Sequence, residues 1–329
     1  MSQHVAAVPP LLEVKDLCTY LFTKAGVVKA VDGVSFSVRR GETLALVGES
    51  GSGKSMTCLS VMQILPKPVG QIVGGSIRFD GEELVGKAPH EMQPYRGKRM
   101  SMILQDPMTS LNPVFTIGDQ VKESVEVRHG RRATDVWGRV VAALRAVKIP
   151  APEFRIKSYP HQMSGGMRQR VVGAMPVAAE AELLIADEPT TALDVTIQAE
   201  YLSLLKDIQR ERNLAIIFVT HDLGVVAQIC DRVAVMYAGK LVEMADVVDL
   251  FEAPVHPYTK ALLQSIPSVE TRATRLASIE GQPPNLMQLP TGCSFAPRCP
   301  FALEKCGSES PPVVSVSPNH WARCWLLSS

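Results

Sequence analysis

Short apolar runs bounded by turn residues recur along the chain, and between them lie stretches with helical spacing. Thr43-Leu-Ala-Leu-Val47 is the first such run; Leu183–Ala186, Ala215–Val219 and Arg232–Tyr237 repeat it. Apolar residues on consecutive positions predict strands covered on both faces, as in a parallel sheet. Two other regions alternate instead: Leu11–Val38, broken by a turn at Lys24-Ala25-Gly26, and Gly75–Phe79. A period of two predicts antiparallel strands, and both regions flank the Thr43 run. A helix is expected from Met56 to Leu65, and residues 114–181 read as several helices, with Val136–Val147 the clearest apolar stripe. Together these elements predict an α/β protein with an antiparallel β part and a helical part.

Composition supports a folded chain and removes several alternatives. The 329 residues are 46% hydrophobic, enough for one large or two modest cores. A net charge of +1 gives no long-range attraction to nucleic acid or anionic lipid, so no nucleic-acid partner is expected. No stretch reaches the ~18 uninterrupted apolar residues of a membrane span, and residues 1–12 lack a basic segment followed by an apolar one. The expectation is a cytosolic chain that meets a membrane only through protein partners. Seven cysteines in that setting should stay reduced unless they hold metal.

The chemistry begins where the first buried strand stops. Gly48-Glu49-Ser50-Gly51-Ser52-Gly53-Lys54-Ser55 lies between a strand and a helix, the context a phosphate-binding loop requires. Glycines let backbone N–H groups converge on phosphate oxygens, and the helix N-terminus adds partial positive charge. Lys54 should reach the β- and γ-phosphates of ATP and Ser55 should ligate Mg²⁺. A Gly/Ser-rich turn with a stray lysine would not explain the flanking strand and helix. Leu183–Ala186 ends in Asp187-Glu188, which supplies a magnesium partner in Asp187 and a candidate base for the attacking water in Glu188. Read alone, that pair could be a solvated acidic turn; beside a phosphate loop it becomes part of a site.

Four further segments bring in a family. Ser164-Gly165-Gly166-Met167-Arg168-Gln169-Arg170 resembles the signature motif of ABC transporter ATPases, Gln105 and His221 match its Q-loop and switch histidine, and Asp194 its D-loop. The resemblance implies catalytic roles for Glu188, His221 and Gln105, with Gln105 also near Mg²⁺. It implies that Ser164, Gly165, Gly166 and Gln169, together with Asp194, serve a nucleotide bound by a facing subunit. One phosphate loop and one signature then require a second ABC ATPase subunit, expected to be a paralogue. Met102–Pro113, Ala186–Thr196 and above all His256-Pro257-Tyr258-Thr-Lys-Ala-Leu-Leu263 resemble the dipeptide/oligopeptide importer ATP-binding subunits. This likeness runs from about Leu11 to the C-terminus. It implies a P-loop NTPase of ABC type over residues 11–250, with the helical subdomain at about 106–181 facing the permease, and a tail over 251–329. The implied function is to energise import of di- or oligopeptides from the cytoplasmic face of the membrane, with two permease subunits and an extracytoplasmic binding protein as partners. Relatives carry nickel or glutathione-type peptides, and a soluble ABC ATPase outside transport is the remaining alternative.

Some positions depart from the pattern or leave a choice. Tyr20 or Phe22 is expected to stack on adenine, ordinary strand packing being the alternative for either ring. Pro176 falls inside the helix that follows the signature, so that helix should end early or kink. Met56 should point into the core. In the tail, Cys293, Cys299, Cys306 and Cys324 form C-x5-C-x6-C-x17-C, whereas Cys18, Cys58 and Cys230 stand singly in apolar contexts and read as core residues. Four clustered thiols suggest a metal site. Zinc knuckles of closer spacing are absent, cluster-binding cysteines tolerate wider spacing, and the resemblance implies a [4Fe–4S] cluster. Zinc and unligated thiols remain open. His320 and Trp321 are expected to pack or cap, and loss of a tail cysteine is expected to leave ATP binding intact because the four lie far along the chain from the phosphate loop.

Overall fold

The computed structural model describes residues 9–104, 110–191, 193–266 and 279–328. Its centre is an eight-stranded sheet in the order β11-β12-β10-β9-β3-β8-β7-β6. The middle strands β3 (Thr43–Val47), β8 (Ala215–Thr220), β7 (Leu183–Asp187), β6 (Met100–Ile103) and β9 (Arg232–Tyr237) are mutually parallel. The continuous apolar runs arise because both faces are covered. Ala45, Val47, Leu184, Ala186, Ile216 and Phe218 enter one core, and Leu44, Leu46, Leu183, Ile185, Ile217 and Val219 enter the other. Each fully buried aliphatic side chain contributes roughly 1.5–3 kcal/mol, so neither face tolerates polar substitution cheaply.

The second core is closed by a four-stranded antiparallel sheet, β2-β1-β4-β5. Here β1 (Leu12–Thr23) and β2 (Gly26–Val38) form a hairpin around the expected turn, and β4 (Gly70–Phe79) and β5 (Glu82–Glu83) complete the sheet. Between the two sheets lies α1 (Lys54–Met62), with Cys58 and Val61 fully buried and Met56 packed against the same core. It stops before the expected Leu65 because Gln63 takes a left-handed conformation ahead of Pro66.

The helical part comprises α2 (Ile117–His129), α3 (Val136–Ala146), the short α4 (Pro152–Arg155) and α5 (Gly165–Ala178). α5 runs through Pro176 to Ala178, neither ending at the proline nor losing its cap. Pro176 lies in the last turn, where the missing N–H removes a single bond; the Pro176 carbonyl still accepts from Ala181 N–H at 3.1 Å. Beyond β7 come α6 (Val195–Arg212), α7 (Leu223–Ile229), β10 (Lys240–Asp246), α8 (Val247–Glu252) and α9 (Pro257–Gln264).

The tail continues the main sheet. After α10 (Lys305–Ser308), β11 (Val313–Ser317) and β12 (His320–Arg323) form a hairpin, and β12 pairs antiparallel with β10 through Glu243↔Ala322 and Met244↔Trp321. Glu243 is fully buried there, its carboxylate accepting from Val255 N–H (2.8 Å) and His256 N–H (3.0 Å) and lying 2.7 Å from His320 Nε2. His320 thus packs and bonds as expected, against a buried carboxylate.

Candidate functional site

The phosphate loop hangs from the end of β3 and feeds α1, with Gly53 at the helix N-cap. Gly48 (φ +147°) and Gly53 (φ +108°) adopt backbone conformations that L side chains rarely reach. A Cβ at Gly48 would collide with the Met236 carbonyl, and one at Gly53 with the Ala30 carbonyl. The loop is therefore pressed between β9 and β2, and only glycine allows the approach. Lys54 is buried and its ammonium donates to the carbonyls of Gly48 (2.7 Å) and Glu49 (3.0 Å). Burial pushes its pKa down, while the nearby carboxylates of Glu188 and Asp187 oppose the shift.

Asp187 closes β7 beside that loop and is only 6% exposed. Burial raises its pKa and a hydrogen bond from the Ser55 hydroxyl lowers it. Its Oδ1 is buried without a hydrogen-bond partner. A desolvated carboxylate oxygen with nothing to accept from is costly, unless a cation takes that position. Hard oxygen donors from Asp187 and Ser55 fit Mg²⁺, which uses few protein ligands and completes its shell with water and phosphate.

Glu188 follows with φ +47°, a left-handed backbone that costs a non-glycine residue about 1 kcal/mol. The turn is held by Glu188 N–H donating to the Val219 carbonyl at 2.9 Å. It swings the carboxylate out of the sheet to meet His221, whose Nδ1 lies 3.2 Å from Oε1, while Thr191 Oγ1 donates to Oε2 at 3.1 Å. His221 leaves the end of β8 with its side chain 61% exposed, and Asp222 caps α7 by accepting from Gly224 N–H at 2.8 Å. Gly48, Glu49, His221 and Asp222 line one cleft with Leu262 and Ile266 of the α9 segment.

The signature residues stand apart from this cleft. Ser164 caps α5 by accepting from Met167 N–H (3.3 Å), is exposed, and has open space beside Gly165. A Cβ at Gly166 would lie 2.6 Å from Ile197 Cγ2, on the helix that Asp194 caps through Ile197 N–H (3.0 Å). Gln169 departs from its expected role: it is fully buried in α5, whereas Ser164 is exposed, and neither atom of its amide has a hydrogen-bond partner among the described residues. Gln105 and Ala192 lie outside the described residues. Of the two adenine candidates, the Tyr20 hydroxyl donates to Asp32 Oδ1 at 2.9 Å and Phe22 is 42% exposed.

Far along the chain, the tail is nevertheless in contact with the loop. His256 caps α9, its Nδ1 accepting from Tyr258 N–H at 3.0 Å, and Pro257 occupies the first helical turn. The buried Tyr258 accepts from Glu49 N–H at 2.9 Å. Arg298 reaches the same residue and forms a two-pronged pair with its carboxylate at 2.7 and 3.0 Å. Glu49, expected to contact nucleotide, thus has its side chain committed to the tail. Nothing local marks Arg298, which is 249 positions from Glu49; Tyr258 belongs to a motif but carries no expected role. Cys293, Cys299, Cys306 and Cys324 line one cavity with His256, Phe295 and Trp325, and burial pushes the Cys293, Cys299 and Cys324 thiols up. Among the described residues, no three His, Cys, Asp or Glu side chains are grouped so as to hold a metal, so the expected metal site of the four tail cysteines is not borne out. Cys58 and Cys230 are buried core residues and Cys18 is half-buried.

Residues 31–191 match the family model described as ABC transporter, and residues 242–306 the model described as oligopeptide/dipeptide transporter, C-terminal region. The chain is 50% identical over 317 residues to a probable peptide ABC transporter ATP-binding protein, y4tR, of Sinorhizobium fredii, covering 96% of this chain and 94% of the relative. It is 50% identical to the oligopeptide transport ATP-binding protein OppD of Bacillus subtilis (96% and 89% covered) and 49% identical to the dipeptide transport ATP-binding protein DppD of the same organism (96% and 94%). Among solved structures, cbiO1 from Clostridium perfringens, part of the ABC transporter complex cbiONQ, superposes with a TM-score of 0.65 at 26% identity, over 75% of this chain and 92% of that one. The dimeric ATP-binding cassette MJ0796 bound to ADP and Pi superposes at 0.63 and 22% identity, over 72% and 98%, which shows the shared fold.

Proposed function

The chain belongs to the ATP-binding subunits of oligopeptide/dipeptide ABC transporters, and from that premise we propose that it hydrolyses MgATP at the Gly48–Ser55 loop to drive import of di- or oligopeptides. The observation that carries this reading is the unpartnered Asp187 oxygen beside Ser55, one residue from a carboxylate held against His221.

The roles follow from that geometry. Backbone N–H groups of the loop cradle the phosphates, and Lys54 turns from the loop carbonyls to the β- and γ-phosphates. Ser55 and Asp187, with Gln105, hold Mg²⁺, which when bound neutralises charge on the phosphate oxygens. Glu188 accepts a proton from the attacking water, and His221 orients that carboxylate near the γ-phosphate. Ser164, Gly165 and Gly166 present a helix N-terminus to the γ-phosphate of a facing ATPase subunit, with Asp194 beside them. Their exposure and separation from the chain's own cleft support action in trans.

The facing subunit is read as a paralogous ATPase, and the pair as docking through its helical parts on two membrane permeases fed by an extracytoplasmic binding protein. The subunit is read as peripheral, on the cytoplasmic face; among the described residues no helix is long and apolar enough to cross a membrane. We read residues 11–250 as the ATPase domain and 251–329 as a tail whose four cysteines hold a [4Fe–4S] cluster. What supports this reading is that the four thiols line one cavity.

The test uses the assembled complex in vesicles. ATP hydrolysis should rise when the binding protein is loaded with a short peptide, and Ser164→Arg should remove that rise while the isolated chain still binds ATP. Stimulation by a nickel-loaded binding protein but by no peptide would replace the substrate. Full hydrolysis by the isolated chain would remove the two-subunit site.

A further inference from the structure

Every polar group of Glu49 is engaged, and the partners of its carboxylate and N–H come from the tail. Its carboxylate meets Arg298 at 2.7 and 3.0 Å, its N–H donates to the Tyr258 hydroxyl at 2.9 Å, and its carbonyl accepts from Lys54 Nζ at 3.0 Å. Arg298 is built for the purpose. Its side chain is 3% exposed, and its five N–H donors meet the two Glu49 oxygens, the Tyr237 hydroxyl (3.2 Å) and the carbonyls of Ile279 (3.1 Å) and Glu280 (3.0 Å). A guanidinium satisfied on every N–H has one geometry available, which lysine cannot reproduce. The rings of Tyr237, Tyr258 and Phe295 pack with centroids 4.6–5.3 Å apart and fix both tail elements against β9.

Glu49 is an odd residue for a loop that receives a polyanion, because a free carboxylate there repels phosphate. The paired one does not: Arg298 cancels its charge and turns it toward the tail. We propose that Arg298 and Tyr258 are positioning residues for nucleotide binding, holding Glu49 so that the phosphate loop presents neither a free carboxylate nor a mobile first turn to the triphosphate. The tail is thereby part of the ATP site without touching the nucleotide. This inference rests on the Gly48–Ser55 loop binding MgATP.

The test is displacement of trinitrophenyl-ATP by MgATP on the full-length chain, with circular dichroism as a folding control. Arg298→Gln should weaken MgATP binding about tenfold, the scale of a lost charge-assisted pair plus an uncovered charge. Adding Glu49→Gln to that variant should restore most of the affinity, because the uncovered charge is then gone. Arg298→Lys and Tyr258→Phe should each cost a few-fold, and in the assembled complex KM for ATP should rise with kcat nearly unchanged. Affinity in Arg298→Gln equal to wild type overturns the proposal. So does a double variant as weak as Arg298→Gln, which would leave Arg298 a merely structural part of the tail. Should Arg298→Gln fail to fold, Arg298→Lys and Tyr258→Phe decide the matter, and wild-type affinity in both overturns it. A wild-type chain that does not bind MgATP removes the ATPase reading itself, whereas wild-type binding with indifferent variants removes only this one.

Discussion

Glu188 and Lys54 feel each other's charge and yet have different energetic roles. Glu188 occupies a left-handed backbone position held by its N–H bond to Val219, and its carboxylate is shared between Thr191 and His221. Strain kept at a residue whose side chain faces a phosphate site is consistent with selection for geometry rather than stability. Glu188→Gln keeps the shape and removes the proton acceptor, so turnover should fall about 10²–10⁴-fold with ATP affinity retained. Lys54→Ala removes a ground-state contact and should weaken ATP binding itself. Turnover of Glu188→Gln within a few-fold of wild type, or equal ATP affinity in the two variants, would contradict the division. These residues were legible because their roles depend on neighbours within a few positions. Gln169 was not: its motif position suggested contact with nucleotide, while the packing of α5 decided that it is fully buried.

At the scale of elements, α9 shows what a three-residue motif does. His256 caps the helix, Pro257 starts it, and Tyr258 carries its contact to the phosphate loop. His256 is buried, and burial lowers its pKa from 6.5 to about 4. Between those values the unfolded chain binds a proton that the native histidine refuses, so stability is intact above about pH 6.5 and is lost as pH falls toward 4. From pH 7 to 5 the loss should be about 2 kcal/mol. Asparagine also caps helices, so His256→Asn should fold. Thermal unfolding at the two pH values should show a smaller acid-induced drop for that variant; an equal drop would place the sensitivity elsewhere. The buried apolar strands β3, β7, β8 and β9 were readable from their runs, but β10 was not, because Glu243 interrupts its pattern and is made tolerable only by His320 and two N–H groups from the α9 approach. The four residues of β6 are too few to show a period, and β11 is mostly exposed.

At the scale of the whole molecule, the tail and the ATPase core share a sheet, an aromatic cluster and the Glu49 pair. Arg298 immediately precedes Cys299, whose thiol lines the cavity that the other three tail cysteines also face. A cluster there would brace the loop that presents Arg298, in a segment with little core of its own. Protein purified without oxygen should carry about four irons and a broad charge-transfer absorption, and Cys306→Ser should lose both. Colourless protein with one tightly held zinc would overturn iron, and metal-free protein with four titratable tail thiols would overturn both metals.

The sequence by itself determined the nucleotide chemistry, since the Gly48–Ser55 loop, the Asp187-Glu188 strand end and the Ser164 helix start each depend on a few consecutive residues and on backbone N–H groups that any such turn presents. It also determined the family, through segments such as His256–Leu263. Tertiary structure alone decided that Glu49 pairs with Arg298, that Gln169 is interior, that Pro176 falls where a helix can absorb it, and that the tail joins the sheet through β11 and β12 and reaches back to the loop through Tyr258 and Arg298. The reason is physical. A strand edge, a buried carboxylate and a guanidinium with five acceptors are satisfied by partners brought together only when the chain closes, and no local pattern encodes a partner 249 residues away.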